Sequence, residues 1–257
     1  MGDSADSSDR RGPAGRSAGA GHDLDAAIAG GDAVPARAPL DRDRIVAAAL
    51  TYVDAHGLAG LTMRRLGDRL GVEAMSLYRY VPGKEDLLDA VVEALLDVLE
   101  RDPDVLVAPT DGWQDFLQRL AHGIRRAALA HPKAFPLVAS RPPEAPWLRP
   151  PLRSLVWVER FLVALTDEGF DAGSAVAAYR SFTSFLLGHL LLEVAGHGAD
   201  VGPLDVVDDG SVADEGLADY PAVAALRSEL SQDHAALEFE DALESLLDRL
   251  TLLRAEG

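Results

Sequence analysis

The sequence predicts an all-α protein, and three observations carry that prediction. Leu and Ala recur at three- and four-residue spacing along most of its 257 residues, the period that gathers apolar side chains on one stripe of a helix. Few segments alternate apolar with polar residues as half-buried strands do, and aromatic residues, which strands favour, make up only 6% of the chain. A hydrophobic content of 48% over this length suffices for one large core or two modest ones.

Composition also removes whole classes of function. Without a cysteine there is no disulfide framework, no thiolate metal site and no cysteine nucleophile. The first 39 residues hold no apolar run of signal-peptide length, and later apolar stretches read as interrupted by charges short of a membrane span. A soluble, cytoplasmic protein with no membrane partner is expected. No phosphate-binding glycine loop and no pairing of a nucleophile with a general base stands out, so neither an enzyme nor a cofactor is expected.

Residues 1–39 are rich in Gly, Ala, Ser, Asp and Pro and nearly lack large apolar side chains, so they are expected to form a disordered arm. A first domain is expected over 40–101. Asp41 or Asp43 caps a helix with the stripe Ile45, Val46, Ala49, Leu50 and Val53, which stops at His56 before Gly57. Thr62 caps a short helix from Met63 to Leu70, Gly71 breaks the chain, and a second short helix runs from about Ala74 to Tyr80 before Pro82 and Gly83. Helices this short are unstable alone. They must pack on the first helix and on the next, about Lys84 to Arg101.

A second helical domain is expected over 102–257, after Pro103 and Pro109. Its periodic segments are Trp113 to Ala130, Ala134 to Ser140, Pro151 to Glu168, Ala172 to Ala195, Ala222 to Ser231 and Ala235 to Leu253. Residues 196–219, glycine-rich and carrying Asp200, Asp205, Asp208, Asp209, Asp214, Glu215 and Asp219, read as a mobile acidic loop.

The pair of short helices around Gly71 has the form of a helix-turn-helix, in which the first helix crosses a phosphate backbone and the second presents its N-terminal residues to base edges. Leu61, Leu66, Leu70, Val72, Leu77 and Val81 are spaced to face inward. Thr62, Met63, Arg64, Ala74, Met75, Ser76, Tyr78, Arg79, Tyr80 and Lys84 are the candidate DNA-contacting set. Arg64 and Arg79 suit phosphate or guanine, Ser76, Tyr78 and Tyr80 can donate to phosphates, and Lys84 can anchor a backbone near a helix N-terminus. Glu73, at the start of the second helix, is an acid beside the expected phosphates. The net charge of −18 is at odds with DNA binding only until it is partitioned. From Leu40 to Lys84 seven bases stand against five acids, so the acidity belongs to the rest of the chain, which a polyanion would repel. Arg10, Arg11, Arg16 and Arg37 in the arm could reach a minor groove, although a solvated tail is the expectation.

Residues 40–100 resemble the N-terminal domain of the TetR family of bacterial transcriptional repressors. The resemblance rests on Leu61-Thr62-Met63-Arg64-Arg65-Leu66, Leu70-Gly71-Val72, Leu77-Tyr78, and Lys84 followed by Asp86-Leu87-Leu88. Gly112-Trp113-Gln114-Asp115-Phe116-Leu117, Ser140-Arg141-Pro142 and Glu168-Gly169-Phe170 extend it, towards the tetracycline-repressor members of that family. It implies a regulator, expected to be a repressor released from a palindromic double-stranded DNA operator by a small-molecule effector. An activator or ligand-independent regulator is the alternative, and a helical metal-dependent enzyme a remote one.

The resemblance implies an effector site in the second domain, with candidate residues Glu100, Leu120, Ile124, Leu137, Ser140, Arg141, Trp157 and Phe161. Tetracycline-binding members hold magnesium with a histidine shortly before the Arg-Pro pair. That place is apolar here, at Leu137-Val138, although Glu193 matches an acid of the metal shell. A more apolar effector, bound without metal, is therefore expected. His189, Glu193 and His197 lie at i, i+4 and i+8, a possible metal line that Gly196 is expected to break. Two apolar stripes, Phe182, Phe185, Leu186 and Leu190, and Leu243, Leu246, Leu247, Leu250 and Leu253, are expected to pair with their twins in a homodimer. Phe182, Leu186, Leu190, Leu243, Leu246, Leu247 and Leu250 are its expected contacts.

Overall fold

The computed structural model describes residues 39–102, 105, 111–141, 145–150, 154–201, 217 and 219–256. Most of the expected arm (1–38) and of the expected acidic loop (202–216 and 218) lies outside the described residues. Among those described there are helices and no strand.

Asp41 opens α1 (Arg42–His56): its carboxylate accepts a hydrogen bond from the Arg44 amide at 2.8 Å, satisfying one of the amides a helix start leaves unpaired. Gly57 closes the helix at φ 75°, a conformation that glycine adopts without strain. Thr62 repeats the device for α2 (Met63–Leu70), its Oγ1 accepting from the Arg65 amide at 3.2 Å. Gly71, left-handed at φ 68°, returns its amide to Asp68 and Gly67 and turns the chain into α3 (Ala74–Leu77).

α3 is a single turn that ends at Leu77, whereas the sequence predicts helix to about Tyr80. Residues 78–80 continue as turns held by amide bonds from Tyr80 and Val81 to the Leu77 carbonyl. Gly67 makes the tight junction possible. A Cβ there would lie 2.9 Å from the Val72 carbonyl oxygen and 3.2 Å from the Ala74 amide nitrogen. Only a hydrogen lets α2 and the start of α3 approach so closely.

Met63 corrects one expectation. Its side chain is 8% exposed, because Met63, Leu66, Gly67 and Leu70 share the inner face of α2 at three- and four-residue spacing. These side chains join Ile45, Val46, Ala49 and Val53 of α1, Leu77 and Val81 around α3, and Leu87, Leu88 and Val91 of α4 (Lys84–Arg101) in a common core.

The core continues without interruption through α5 (Trp113–Ala130), α6 (Pro136–Ser140), α7 (Leu155–Asp167) and α8 (Ala172–Gly196). α9 (Pro221–Ala225) and α10 (Arg227–Leu230) replace the single helix expected over 222–231, and α11 (Ala235–Glu256) closes the chain. Trp113, 1% exposed, packs edge-on against Phe170 at 5.0 Å and fixes the start of α5 against the turn after α7.

The dimer stripes are reassigned by this packing. Phe182, Leu186 and Leu190 on α8, and Leu243, Leu247 and Leu250 on α11, are each 5% exposed or less within one chain. α8 and α11 lie against each other, and these six residues belong to the chain's own core, with Phe185, Leu246 and Leu253 packed partly buried against it. An apolar stripe states that something covers it, and here the cover is in the same subunit.

α8 also corrects the expectation about membrane spans. By length and composition this helix is apolar enough to cross a membrane, since Arg180 and Glu193 are its only charges. Its inner face nevertheless packs Ala175, Ala178, Tyr179, Phe182 and Leu186 into the core.

Candidate functional site

Two features stand apart from the general packing: a basic, aromatic rim around α3, and an apolar cavity enclosed by α4, α5, α7 and α8. On the rim, Met75 is 75% exposed, and Tyr78, Arg79 and Tyr80 follow it at the surface. Arg64 and Thr62 are exposed at the start of α2, and Lys84 at the first position of α4. Ala74 and Ser76 are half-buried, so their small side chains set how closely the α3 backbone can approach a surface laid against it. Among the described residues no acid pairs with Arg64, Arg79 or Lys84.

Other bases of this region are engaged by groups of the protein itself. The Arg65 guanidinium donates to the Gly60 carbonyl at 2.7 Å and braces the loop before α2, and Arg42 pairs with Glu93 of α4 at 2.7 Å. Glu73 stands at the start of α3 but makes no side-chain cap. The start of α3 is held by backbone alone, the Ser76 amide donating to the Glu73 carbonyl at 2.8 Å. Met63 lies behind the rim, not on it.

The cavity holds about 770 Å³ of space between atoms, part of it open to solvent. Leu95 and Leu96 of α4, Leu120 and Ile124 of α5, Trp157 and Phe161 of α7, and Tyr179, Phe182 and Thr183 of α8 contribute to its wall. Four of the eight candidate effector residues, Leu120, Ile124, Trp157 and Phe161, are brought together there. Leu137 and Ser140 instead face a separate depression between the loop after α1 and the end of α8. Arg141 is in neither wall, and the Glu100 side chain lies outside the described residues. The sequence reading missed Leu95, Leu96, Tyr179 and Thr183, whose periodic or neutral side chains look like ordinary core.

Comparison with known proteins settles the family. Residues 45–91 match the family described as bacterial regulatory proteins of the tetR family, and residues 107–252 match the tetracyclin repressor-like C-terminal domain.

The chain belongs to the TetR family.

It is 34% identical over 158 residues to the class E tetracycline repressor protein of Escherichia coli, covering 62% of this chain and 71% of that one. A possible TetR family transcriptional regulator from Streptomyces coelicolor A3(2) superposes with a TM-score of 0.65 at 33% identity, over 83% of this chain and 100% of that one. The Streptomyces coelicolor TetR family protein ActR in complex with actinorhodin gives 0.61 at 27% identity, over 83% and 96%. The protein is therefore a TetR-family transcriptional regulator, with a helix-turn-helix at its N-terminal side and a helical C-terminal domain.

In this TetR-family regulator, three contacts tie the C-terminal helices to the DNA-reading side. Arg141, after α6, donates to Asp89 at 2.7 Å and to Glu85 at 2.6 Å on α4. Burial works to lower the Arg141 pKa, but the hydrogen bonds to Glu85 and Asp89 outweigh it and hold the guanidinium above its ordinary value. His131, at the end of α5, meets Asp54 of α1 with Nδ1 2.8 Å from the carboxylate, and Lys133 donates to the Ala55 carbonyl at 3.4 Å.

Glu193, placed by its sequence in a possible metal line, is 9% exposed and faces Arg125 of α5. The Arg125 Nη2 lies 2.5 Å from one carboxylate oxygen, and Nε lies 3.1 and 3.2 Å from the two. The hydrogen bond to Glu193 raises the guanidinium's pKa, against the opposing effect of burial. His197 caps the end of α8 and leaves the helical line, as Gly196 predicts. His189 packs against Phe185 and Phe239 at 5.7 and 5.3 Å. Among the described residues no group of three acids or histidines is placed to hold a metal ion.

Proposed function

We propose that the protein is a homodimeric repressor that leaves a palindromic operator when a small molecule enters the α4–α8 cavity. One observation carries this reading: α4 serves both features. It begins at Lys84 beside the reading helix and contributes Leu95 and Leu96 to the cavity wall, about 16 Å further along the same rigid rod. Anything that repositions Leu95 and Leu96 must move Lys84 and the helix-turn-helix that packs on α4.

Arg64 and Lys84 are read as phosphate contacts and Met75, Ala74 and Arg79 as base contacts, with Ser76, Tyr78, Tyr80 and Thr62 on the flanking backbone. A dimer is supported by the apolar surface one chain leaves uncovered. No residue from Asp219 to His234 is buried, and Tyr220, Val223, Leu226 and Leu230 recur there at three- and four-residue spacing. On the outer side of α8, Val176, Ser184, Gly188 and Leu192 recur at multiples of four residues, and Leu237 and Leu252 are exposed on α11. A second copy that covers these faces places two reading helices on one side of a twofold axis, suited to two half-sites in the cytoplasm.

The relatives support the effector. The ActR structure holds actinorhodin, and most of the cavity wall here lies in the domain similar to that of the tetracyclin repressor. The test is an operator selected from a random duplex pool, followed by titration of the complex with candidate effectors. Release by an effector, with operator weakening effector binding by the same factor, supports the scheme. Operator affinity that no cavity ligand changes would overturn it and favour a ligand-independent regulator.

A further inference from the structure

We infer that the cavity takes an uncharged, flat aromatic molecule, held through a single hydroxyl that donates to Thr183 and without a divalent cation. This rests on the reading of the α4–α8 cavity as the effector site and narrows what that site accepts.

Three properties of the wall lead there. First, none of its fifteen side chains is charged. A charged ligand would lose its hydration on entry and gain no counterion, a cost that only good pairing offsets. The nearest buried carboxylate along α8, Glu193, is already engaged by Arg125 on two sides. It is therefore not free to hold a cation brought in with a ligand.

Second, the wall is aromatic out of proportion to the chain. Phe135, Trp157, Phe161, Tyr179 and Phe182 supply five of the fifteen positions, although the whole chain has only three Trp, five Tyr and seven Phe. Phe161 stands edge-on to Tyr179 at 5.7 Å and tilted to Phe182 at 5.4 Å. A planar ring can join such a set in offset or edge-to-face contact, which a branched aliphatic molecule cannot.

Third, the polar groups of the wall are all neutral, the Trp157 indole N–H and three hydroxyls, and each hydroxyl already has a protein partner. The Ser154 hydroxyl caps α7 by accepting from the Trp157 amide at 3.4 Å. The Tyr179 hydroxyl donates to the Pro150 carbonyl at 3.1 Å, and burial pushes its pKa up to about 12, so it enters no ionic contact at neutral pH. Thr183, 6% exposed, donates its hydroxyl to the Tyr179 oxygen, and its own oxygen keeps a lone pair with which to accept from a ligand hydroxyl. One such bond orients a ring in an otherwise apolar site.

The experiment uses the full-length protein and three probes. 9-Anthracenemethanol offers a neutral ring with one hydroxyl, and anthracene-9-carboxylate is the same ring with a charge. Tetracycline with magnesium is the metal-dependent alternative. Binding is read by energy transfer from tryptophan to anthracene, by quenching for tetracycline, and by calorimetry, each with and without EDTA. The expected result is micromolar binding of the alcohol, unchanged by EDTA and on the order of a hundredfold tighter than the carboxylate. Thr183→Val should weaken the alcohol by about three- to tenfold. Leu120→Trp, which fills the cavity, should abolish binding while leaving the helical circular dichroism intact.

Preference for the carboxylate, for magnesium-tetracycline, or for no probe at all overturns the ligand class. Binding that survives Leu120→Trp also overturns it, because the probe then sits elsewhere. If the alcohol binds as expected but never releases operator DNA, the ligand class stands and the effector-release reading fails.

Discussion

Arg125 of α5 and Glu193 of α8 form a two-sided ion pair across 68 residues of sequence, and only 4% of the Glu193 side chain remains accessible. The pair also carries Arg125 over the ring of buried Phe239, 5.1 Å away, and so joins α5 and α8 to α11. Removing one partner strands the other charge among apolar side chains. Glu193→Leu is expected to destabilise the fold by about 3 kcal/mol. The double variant Arg125→Leu/Glu193→Leu is expected to recover most of that loss, because neither charge is then left unpaired. Urea unfolding of the two variants measures the difference; equal losses would show that the pair is not the cause.

Gly67 sets the distance between the two helices of the reading unit. Gly67→Ala puts a methyl group 2.9 Å from the Val72 carbonyl and 3.3 Å from the Ala74 Cα, atoms of backbone that cannot rotate away. The expected cost is about 1–3 kcal/mol, with a displaced α3 and at least a tenfold loss of operator affinity. A thermal melt and a duplex titration check the two together. Thr62→Ala, which removes only the cap of α2, serves as the control: about 1 kcal/mol of stability, with α3 left in place.

How much of this architecture the sequence reveals depends on whether the signal is local. Asp41, Gly57, Thr62 and Gly71 are caps and turns written within a few residues of the helices they bound, and α1, α2, α4 and α5 lie where the sequence predicts. The sequence places Met63 outward because it opens α2 beside Arg64, while its burial is decided by Leu66 and Leu70 one and two turns later. Phe182 and the five buried leucines of the α8 and α11 stripes show the same limit at larger scale, since periodicity reveals a face but not its cover. The cavity was half legible. Leu120, Ile124, Trp157 and Phe161 line it, but nothing local distinguishes them from Leu137, which packs elsewhere.

Tyr179 provides a pH signature of the cavity wall. Burial holds its phenol neutral up to about pH 12, against an ordinary value of 10.0. The folded state therefore keeps a proton that the unfolded chain loses near the ordinary value. The stability this contributes is complete below about pH 10 and declines between about pH 10 and 12. An absorbance titration of the phenols should show one late-ionising group that Tyr179→Phe removes. If the variant leaves that phase unchanged, the late phenol is not Tyr179.

The surface that covers a second copy can be separated from the core by substitutions two residues apart on one helix. Leu190 is fully buried inside the chain, whereas Leu192 is 76% exposed and makes no comparable contribution to the monomer. Leu190→Glu buries a charge with no partner and is expected to unfold the protein, by several kcal/mol. Leu192→Glu, alone or with Leu252→Glu, is expected to leave the helical content and the unfolding of the subunit nearly unchanged. It should nevertheless convert a dimer to a monomer in sedimentation at micromolar concentration. Operator binding should then fall far more than for a single lost contact, because each monomer engages one half-site and the linkage between the two heads is gone. A Leu192→Glu/Leu252→Glu protein that still sediments as a dimer would show that the twofold contact lies on another face.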